Sequence, residues 1–314
     1  MSTTGIIVIT GPTATGKTAI SALLAKTING EVVSADSMQI YKHMDIGTAK
    51  PTKEERLGIP HHMLDIVAPH EDYSVARYVS DATLCIDSII RRGKTPVLAG
   101  GSGLYINALL SGRVFSTRGD DTVRRKLESE YDDLGGEIML SKLREFDPRS
   151  AEKLHANDKK RIVRAFEVYI SSEKTISQHD IETKTLPHKY ESKKFALTFE
   201  DRAELYARID RRVDSMLKIG LVDEVRNLLD MGIPSGCTAM QAIGYKQIAD
   251  VVLGKFDIDS ASDIIKMESR RYAKRQLTWL RRDPDVEWIE RGKLTEMKDE
   301  KFAKCILDKI RTGE

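Results

Sequence analysis

Short apolar runs alternate with helical patterning through the first hundred residues. Gly-Ile-Ile-Val-Ile at 5–9 contains no polar residue, as expected of a strand buried on both faces. Residues 31–35, 63–67 and 95–99 read the same way, and 195–199 adds a further strand. Between the first of them, apolar spacing near 3.6 residues predicts helices at 17–28 and 75–91. Strands alternating with helices predict an α/β fold with a parallel sheet and flanking helices.

The texture changes after Gly112. Residues 116–194 are almost all helical in pattern, dense in charge and poor in β-branched runs, and they close through a polar stretch containing Pro187. This predicts a helical subdomain inserted into a core made of residues 1–115 and 195–314. The final third is mostly helical. Asp201 and Glu204 resemble a capping box, and Leu205, Ile209, Val213, Met216, Leu217, Val225 and Leu228 follow at helical spacing.

One motif follows the first strand and opens the first helix. Gly11, Pro12, Thr13, Ala14, Thr15, Gly16, Lys17 and Thr18 match G-x-x-x-x-G-K-[ST] in full. In that context backbone N–H groups and the helix N-terminus face an anion, Lys17 adds a full charge, and the Thr18 hydroxyl can bind Mg²⁺. The loop is expected to bind a di- or polyphosphate. Alone it favours a nucleotide kinase or NTPase. Asp36 follows the second strand, where it could be a metal ligand, a general base or a turn residue.

Composition narrows the partners only slightly. Forty per cent hydrophobic and 31% charged residues are ordinary for a soluble globular protein, and the formal net charge of +2 leaves any nucleic-acid partner to be argued from local patches. Three scattered cysteines form no metal spacing and suit a reducing cytoplasm, with Cys85 read as a buried, inert thiol. A strand pattern from residue 5 leaves no room for a signal peptide, and no apolar run is long enough for a membrane span. His61 and His62, adjacent on a strand, would point to opposite faces and are read as structural. On the last long helix, Arg270, Arg271, Lys274, Arg275, Arg281 and Arg282 fall within roughly 140° at ~100° per residue, opposite Ala273, Leu277 and Leu280.

Further stretches carry a resemblance. Asp36-Ser-Met-Gln-Ile-Tyr-Lys-His-Met-Asp-Ile-Gly-Thr-Ala-Lys-Pro51 and Gly100-Gly-Ser-Gly-Leu-Tyr105 closely resemble the tRNA dimethylallyltransferases. So do His61–Asp65, Lys160–Ala165, Gln241–Gln247 and Arg271–Trp279. Departures from the family's pattern are small: Ser102 stands where Thr is frequent and Thr15 where Ser is usual. With no Cys/His zinc-finger extension after Trp279, the likeness is to the bacterial form.

The resemblance implies a P-loop NTPase-like core whose phosphate loop holds dimethylallyl diphosphate with Mg²⁺, and a tRNA anticodon stem-loop as acceptor. Asp36 would be the general base, Ser102 would position the reacting group, and Lys17 would stabilise the leaving diphosphate. Ser37 and Gln39 would contact the extruded adenine, and Met38 beside them would meet the tRNA. Arg124, Lys160, Arg161, Ile162, Val163, Arg164, Gln241, Gly244, Tyr245, Lys274 and Arg275 would meet the RNA. The helix of Lys160 is expected to bury Ile162, Ala165, Phe166 and Tyr169. The resemblance also implies a monomer. An adenylate isopentenyltransferase acting on free AMP, a small-molecule kinase and an RNA-binding regulator are the competing readings.

Overall fold

The computed structural model describes residues 5–112, 121–184, 188–292 and 298–312. In chain order the elements are β1 (Ile6–Thr10), α1 (Lys17–Thr27), β2 (Gly30–Ser34), β3 (His61–His62), α2 (Val75–Arg91), β4 (Thr95–Ala99) and α3 (Gly103–Leu110). The helices α4 (Asp121–Leu134), α5 (Gly136–Phe146), α6 (Pro148–Ala151), α7 (Lys159–Ser172) and α8 (Ile176–Lys184) follow. Then come β5 (Ser192–Phe199), α9 (Arg202–Lys218), α10 (Leu221–Asp230), α11 (Tyr245–Val252), α12 (Ile258–Leu280), β6 (Val286–Arg291) and α13 (Asp299–Thr312).

The chain divides into two compact units, residues 1–109 with 190–314, and residues 110–189. The first holds a six-stranded sheet in the order β3-β2-β4-β1-β5-β6, with every neighbouring pair parallel. All carboxyl ends therefore lie on one side. Strand order reverses around β1 and β4, and the crevice outside such a switch point is where open α/β sheets bind ligands. Apolar strands build the core: Ile7, Ile9, Val32, Val97, Phe195, Leu197 and Ile289 pack with Ile20 and Leu24 of α1 and Phe302 and Ile306 of α13. Each such side chain contributes about 1.5–3 kcal/mol on burial.

Two strand expectations change. The 63–67 run is not a strand: Met63 and Asp65 take positive φ, and Val67 makes one isolated bridge to Tyr41. Met63, Leu64 and Val67 are inside, at or below 9% exposure, because the loop packs on the core, while Ile66 is exposed. The sheet gains β6 instead, an edge strand whose sequence VEWIER mixes charge with apolar residues and so lacks the pattern of a central strand. Asp201 caps α9 by accepting from Ala203 N, yet Glu204 Oε1 is buried without a partner, so no capping box closes there. Cys85 is half-buried rather than buried, and desolvation pushes its thiol above the usual range.

At the amino end of the sheet Glu31 is 3% exposed and accepts from Arg92 at 2.5 Å, Lys94 at 2.8 Å and His62 Nε2 at 2.7 Å. These bonds and charges hold its carboxyl down at about 2 against the cost of burial. His61 Nδ1 bonds the Ile59 carbonyl at 2.9 Å. Among the described residues no cluster of three or more His, Cys, Asp or Glu could hold a metal, and no helix is long and apolar enough to cross a membrane.

The second unit has its own core of Met139, Leu140, Leu143, Ala151, Ile162 and Ala165. The predicted boundary near 116 lies outside the described residues. On α7, Ile162 and Val163 are buried in this unit, so their side chains are not available to RNA, a correction to the expectation for both. Tyr169 is 39% exposed rather than buried, because its ring lies over Phe146 at 4.4 Å instead of entering the core. Arg124 and Arg164 both reach the buried carboxylate of Glu167, at 3.0 Å each. Lys160 and Arg161 are exposed on the same helix.

Candidate active site

The phosphate loop runs from β1 into α1. Gly16 at the helix start provides no side-chain cap, which leaves the first-turn N–H groups for a ligand. Its shape is set from within and from outside. Within the loop, Thr15 Oγ1 and Lys17 Nζ donate to the Pro12 carbonyl at 2.9 and 2.7 Å. From outside, Arg208 Nε donates to the Ala14 carbonyl at 2.9 Å and Arg291 to the Thr15 carbonyl at 2.8 Å. A planar peptide points its C=O and the following N–H in opposite directions. Holding those two carbonyls outward therefore turns the N–H groups of Thr15 and Gly16 into the hollow. Thr15, though in the motif, spends its own hydroxyl on the loop.

The loops after β2 and β4 complete the crevice. Ala35 N donates to the Ala99 carbonyl at 2.7 Å and Ser102 N to the Ala35 carbonyl at 3.1 Å. A Cβ on Gly100 would lie 2.2 Å from the Ala35 carbonyl, so only glycine lets these ends approach so closely. Gln276 of α12 fastens the third side, accepting from Thr13 N and donating to the Gly101 carbonyl, both at 2.9 Å.

Asp36 is positioned by its own turn. Its Oδ1 accepts from Met38 N at 2.8 Å and Gln39 N at 3.3 Å. Ser102 Oγ accepts from Ser37 N at 3.0 Å, donates to Ser37 Oγ at 3.3 Å and bonds Tyr272. Gln39 Nε2 donates to the carbonyls of Thr48 and Ala49, both at 3.2 Å, so Gln39 braces a loop before it could touch a ligand.

Two hollows meet at Asp36. A small one of about 110 Å³ is lined by Ala14, Gly16, Lys17 and Thr18 of the phosphate loop. A larger one of about 340 Å³ has an apolar floor of Ile209, Val213, Met216, Leu221 and Ile265, within the ~300–1,000 Å³ typical of small-molecule sites. Thr13, Asp36, Thr48, Arg212 and Tyr272 line both. Burial is the main cause pulling the Lys17 amine down to about 7, helped by the Arg212 charge and opposed by Asp36. Burial likewise lowers the Arg212 guanidinium, and it pushes the Tyr272 phenol up to about 12.

The structure brings Lys17, Thr18, Asp36, Ser37, Met38, Gln39 and Ser102 into this region, with Gln241, Gly244 and Arg275 on the larger cavity's wall. It does not bring Tyr245, whose side chain is fully buried with its hydroxyl on Glu224 at 2.5 Å and faces protein rather than RNA. The basic face of α12 is also smaller than expected. Arg270 pairs with Asp210 at 2.5 Å and Arg271 with Glu268 at 2.8 Å. The helix ends at Leu280, so Arg281 and Arg282 leave the face, while Lys274 and Arg275 stay exposed. Sequence reasoning does not single out Arg212 or Tyr272 as site residues. The signal for Arg212 was its place among Ile209, Val213 and Met216, a charged residue at the spacing of an apolar stripe. Arg208 and Arg291 carry no comparable local signal, since their targets are loop carbonyls distant in sequence.

Comparison with known proteins agrees with this architecture. Residues 39–283 match the family described as IPP transferase. A tRNA dimethylallyltransferase of Acetivibrio thermocellus is 48% identical over 95% of both chains. One of Carboxydothermus hydrogenoformans is 47% identical over 92% of both. The crystal structure of the full-length tRNA isopentenylpyrophosphate transferase of Bacillus halodurans is similar at TM-score 0.72 and 40% identity, covering 98% of this chain and 97% of that one. A eukaryotic dimethylallyltransferase acting on tRNA reaches TM-score 0.83 at 29% identity, covering 98% and 80%. The chain thus belongs to the IPP transferase family.

Proposed function

We propose that this protein transfers a dimethylallyl group from dimethylallyl diphosphate to the exocyclic N6 amine of the adenine 3′ of the anticodon in tRNA, releasing diphosphate. The observation that carries this reading is that the phosphate hollow and the larger apolar-floored cavity meet at one carboxylate, Asp36. The first hollow suits a diphosphate and the second a flat base with a hydrocarbon group beside it. In the reaction the allylic C–O bond breaks, an N–C bond forms, and the N6 proton leaves to Asp36.

Lys17 and the inward N–H groups stabilise negative charge as it gathers on the departing diphosphate. Adenine's amine is a weak nucleophile because its lone pair is delocalised, and a carboxylate taking its proton as the bond forms overcomes that. Oδ1 of Asp36 is held by backbone, which leaves Oδ2 for the proton. Ser102, bonded to Ser37 and Tyr272, fixes the wall beside it. The target base must leave the anticodon loop to enter this cavity. Lys160 and Arg161 in the inserted unit and Lys274 and Arg275 on α12 supply phosphate contacts.

Mg²⁺ fits the donor set: Thr18 and Asp36 line the phosphate hollow, and an ion held largely by phosphate oxygens and water needs few donors from protein. When bound it would neutralise charge on the diphosphate.

Incubating the protein with labelled dimethylallyl diphosphate and either tRNA or AMP tests the reading. Label in tRNA alone is expected. Label in AMP would identify an adenylate isopentenyltransferase, and transfer to neither would overturn a prenyl-transfer role.

A further inference from the structure

The 44–50 loop supplies Gly47 and Thr48 to the larger cavity, and its conformation is set by a side chain that does not touch the cavity. Glu224, in the first turn of α10, accepts from three consecutive backbone N–H groups: Asp45 at 2.9 Å and Ile46 at 2.7 Å on Oε2, and Gly47 at 3.2 Å on Oε1. Successive N–H groups converging in this way form a nest that ordinarily holds an anion. Here the anion is part of the protein. Glu224 Oε1 also accepts the Tyr245 hydroxyl at 2.5 Å. The Tyr245 ring lies against Gly47, where a Cβ would sit 2.4 Å from Cε2.

The carboxylate therefore joins three pieces of the cavity wall. They are the 45–47 loop, α10 with Leu221, and the start of α11 with Gly244. Beyond the nest the loop carries the Thr48 and Ala49 carbonyls that hold Gln39, whose own N–H bonds Asp36. Lys50 closes its far end on the Tyr41 carbonyl at 2.8 Å and on Asp45 and Asp65 at 2.5 Å each. The phosphate loop has none of its residues in this chain of bonds.

We propose that Glu224 is a positioning residue for the acceptor cavity, holding the 44–50 loop as an internal counter-ion so that the base and Asp36 keep their relative placement. The proposal rests on the prenyl-transfer reading for its kinetic consequence, while its structural half stands apart from it. Glu224→Ala removes four acceptor bonds at once. Glu224→Gln keeps the shape and one acceptor oxygen and turns an NH₂ toward the remaining donors, so it should fall between.

The test joins amide hydrogen exchange with steady-state kinetics on the full chain. In Glu224→Ala, amides 45–47 should exchange on the order of 10-fold faster while those of β1 and α1 keep wild-type protection. KM for tRNA should rise roughly 10-fold and kcat fall by a similar factor, with KM for dimethylallyl diphosphate within about twofold of wild type. Glu224→Gln should recover part of both effects. Unchanged exchange at 45–47 would overturn the clamp. Faster exchange with wild-type tRNA kinetics would overturn its positioning role, as would equal loss of donor and tRNA kinetics. A wild-type protein inactive on tRNA would reject the reaction, and the exchange arm would still decide the clamp.

Discussion

At the amino end of the sheet, Glu31 is buried and answered by Arg92, Lys94 and His62. At the carboxyl end Lys17 and Arg212 are half-buried cations that have lost much of their hydration, and Asp36 acts on each through its charge without forming an ion pair with either. The first cluster holds its carboxyl far below its ordinary range, the sign of a satisfied charge. The second pulls its cations down, the sign of charges whose partner has yet to arrive. A fully answered cluster stabilises the fold, and an under-answered one is poised for an anion.

The sharpest way to break this contrast is at Asp36. Asp36→Ala should lower single-turnover transfer by roughly 100- to 10,000-fold while donor affinity stays near wild type. A rate within a few-fold of wild type would remove Asp36 from the role of base.

Lys17→Met comes next. Donor affinity should fall by roughly 10- to 100-fold, and thermal stability should rise because a charge no longer has to be buried. The sign follows from the depressed value. Between about 7 and 10.5 the unfolded chain binds the proton that folded Lys17 has released, so wild-type stability increases with pH there. The advantage of Lys17→Met should accordingly be largest below pH 7 and fade toward 10.5, which melting curves across that range would show. A lower melting temperature at every pH would contradict the contrast.

Glu31→Gln tests the other end. It should cost about 2–3 kcal/mol at neutral pH, less than a fully buried pair because water still reaches Arg92, Lys94 and His62. Wild type keeps this contribution above 4.5 and loses it as pH falls toward about 2, so denaturant midpoints of the two proteins should converge there. Transfer per folded molecule should not change.

The smallest effects repeat the contrast along one helix. Arg161→Gln should weaken tRNA binding and lower its salt slope by about 0.7–0.9, the share of one phosphate contact. Arg164→Gln should instead cost about 1 kcal/mol of stability, since Arg124 still answers Glu167. Equal salt slopes in both variants would show that the pairing with Glu167 does not decide which cation meets RNA.

Much of this was legible in the chain. The unbroken apolar runs marked β1 and β4, the periodicity marked α2, and the glycine–lysine motif marked the phosphate loop in the right context. The 63–67 run misled because burial and strand pairing leave the same apolar trace. Tyr245 misled because a residue embedded in a family motif can serve the wall behind a cavity as readily as its surface. Arg208 and Arg291 escaped because their partners lie across the fold, at Ala14 and Thr15. Pattern reading sees neighbours three and four residues away, and these pairings are made by the sheet.

The place of β1 between β4 and β5 carries a cost during synthesis. β2, β4 and β1 can pair once Ala99 has emerged, but β1's other edge waits for Ser192. At ~5–20 residues per second, the roughly 90 residues between them take about 5–20 s to make. For that interval a run of Ile, Val and Thr presents unpaired N–H and C=O groups, the template on which separate chains join edge to edge. Nascent chains halted within the insertion should therefore be the aggregation-prone ones, and those extended past Phe199 should escape it.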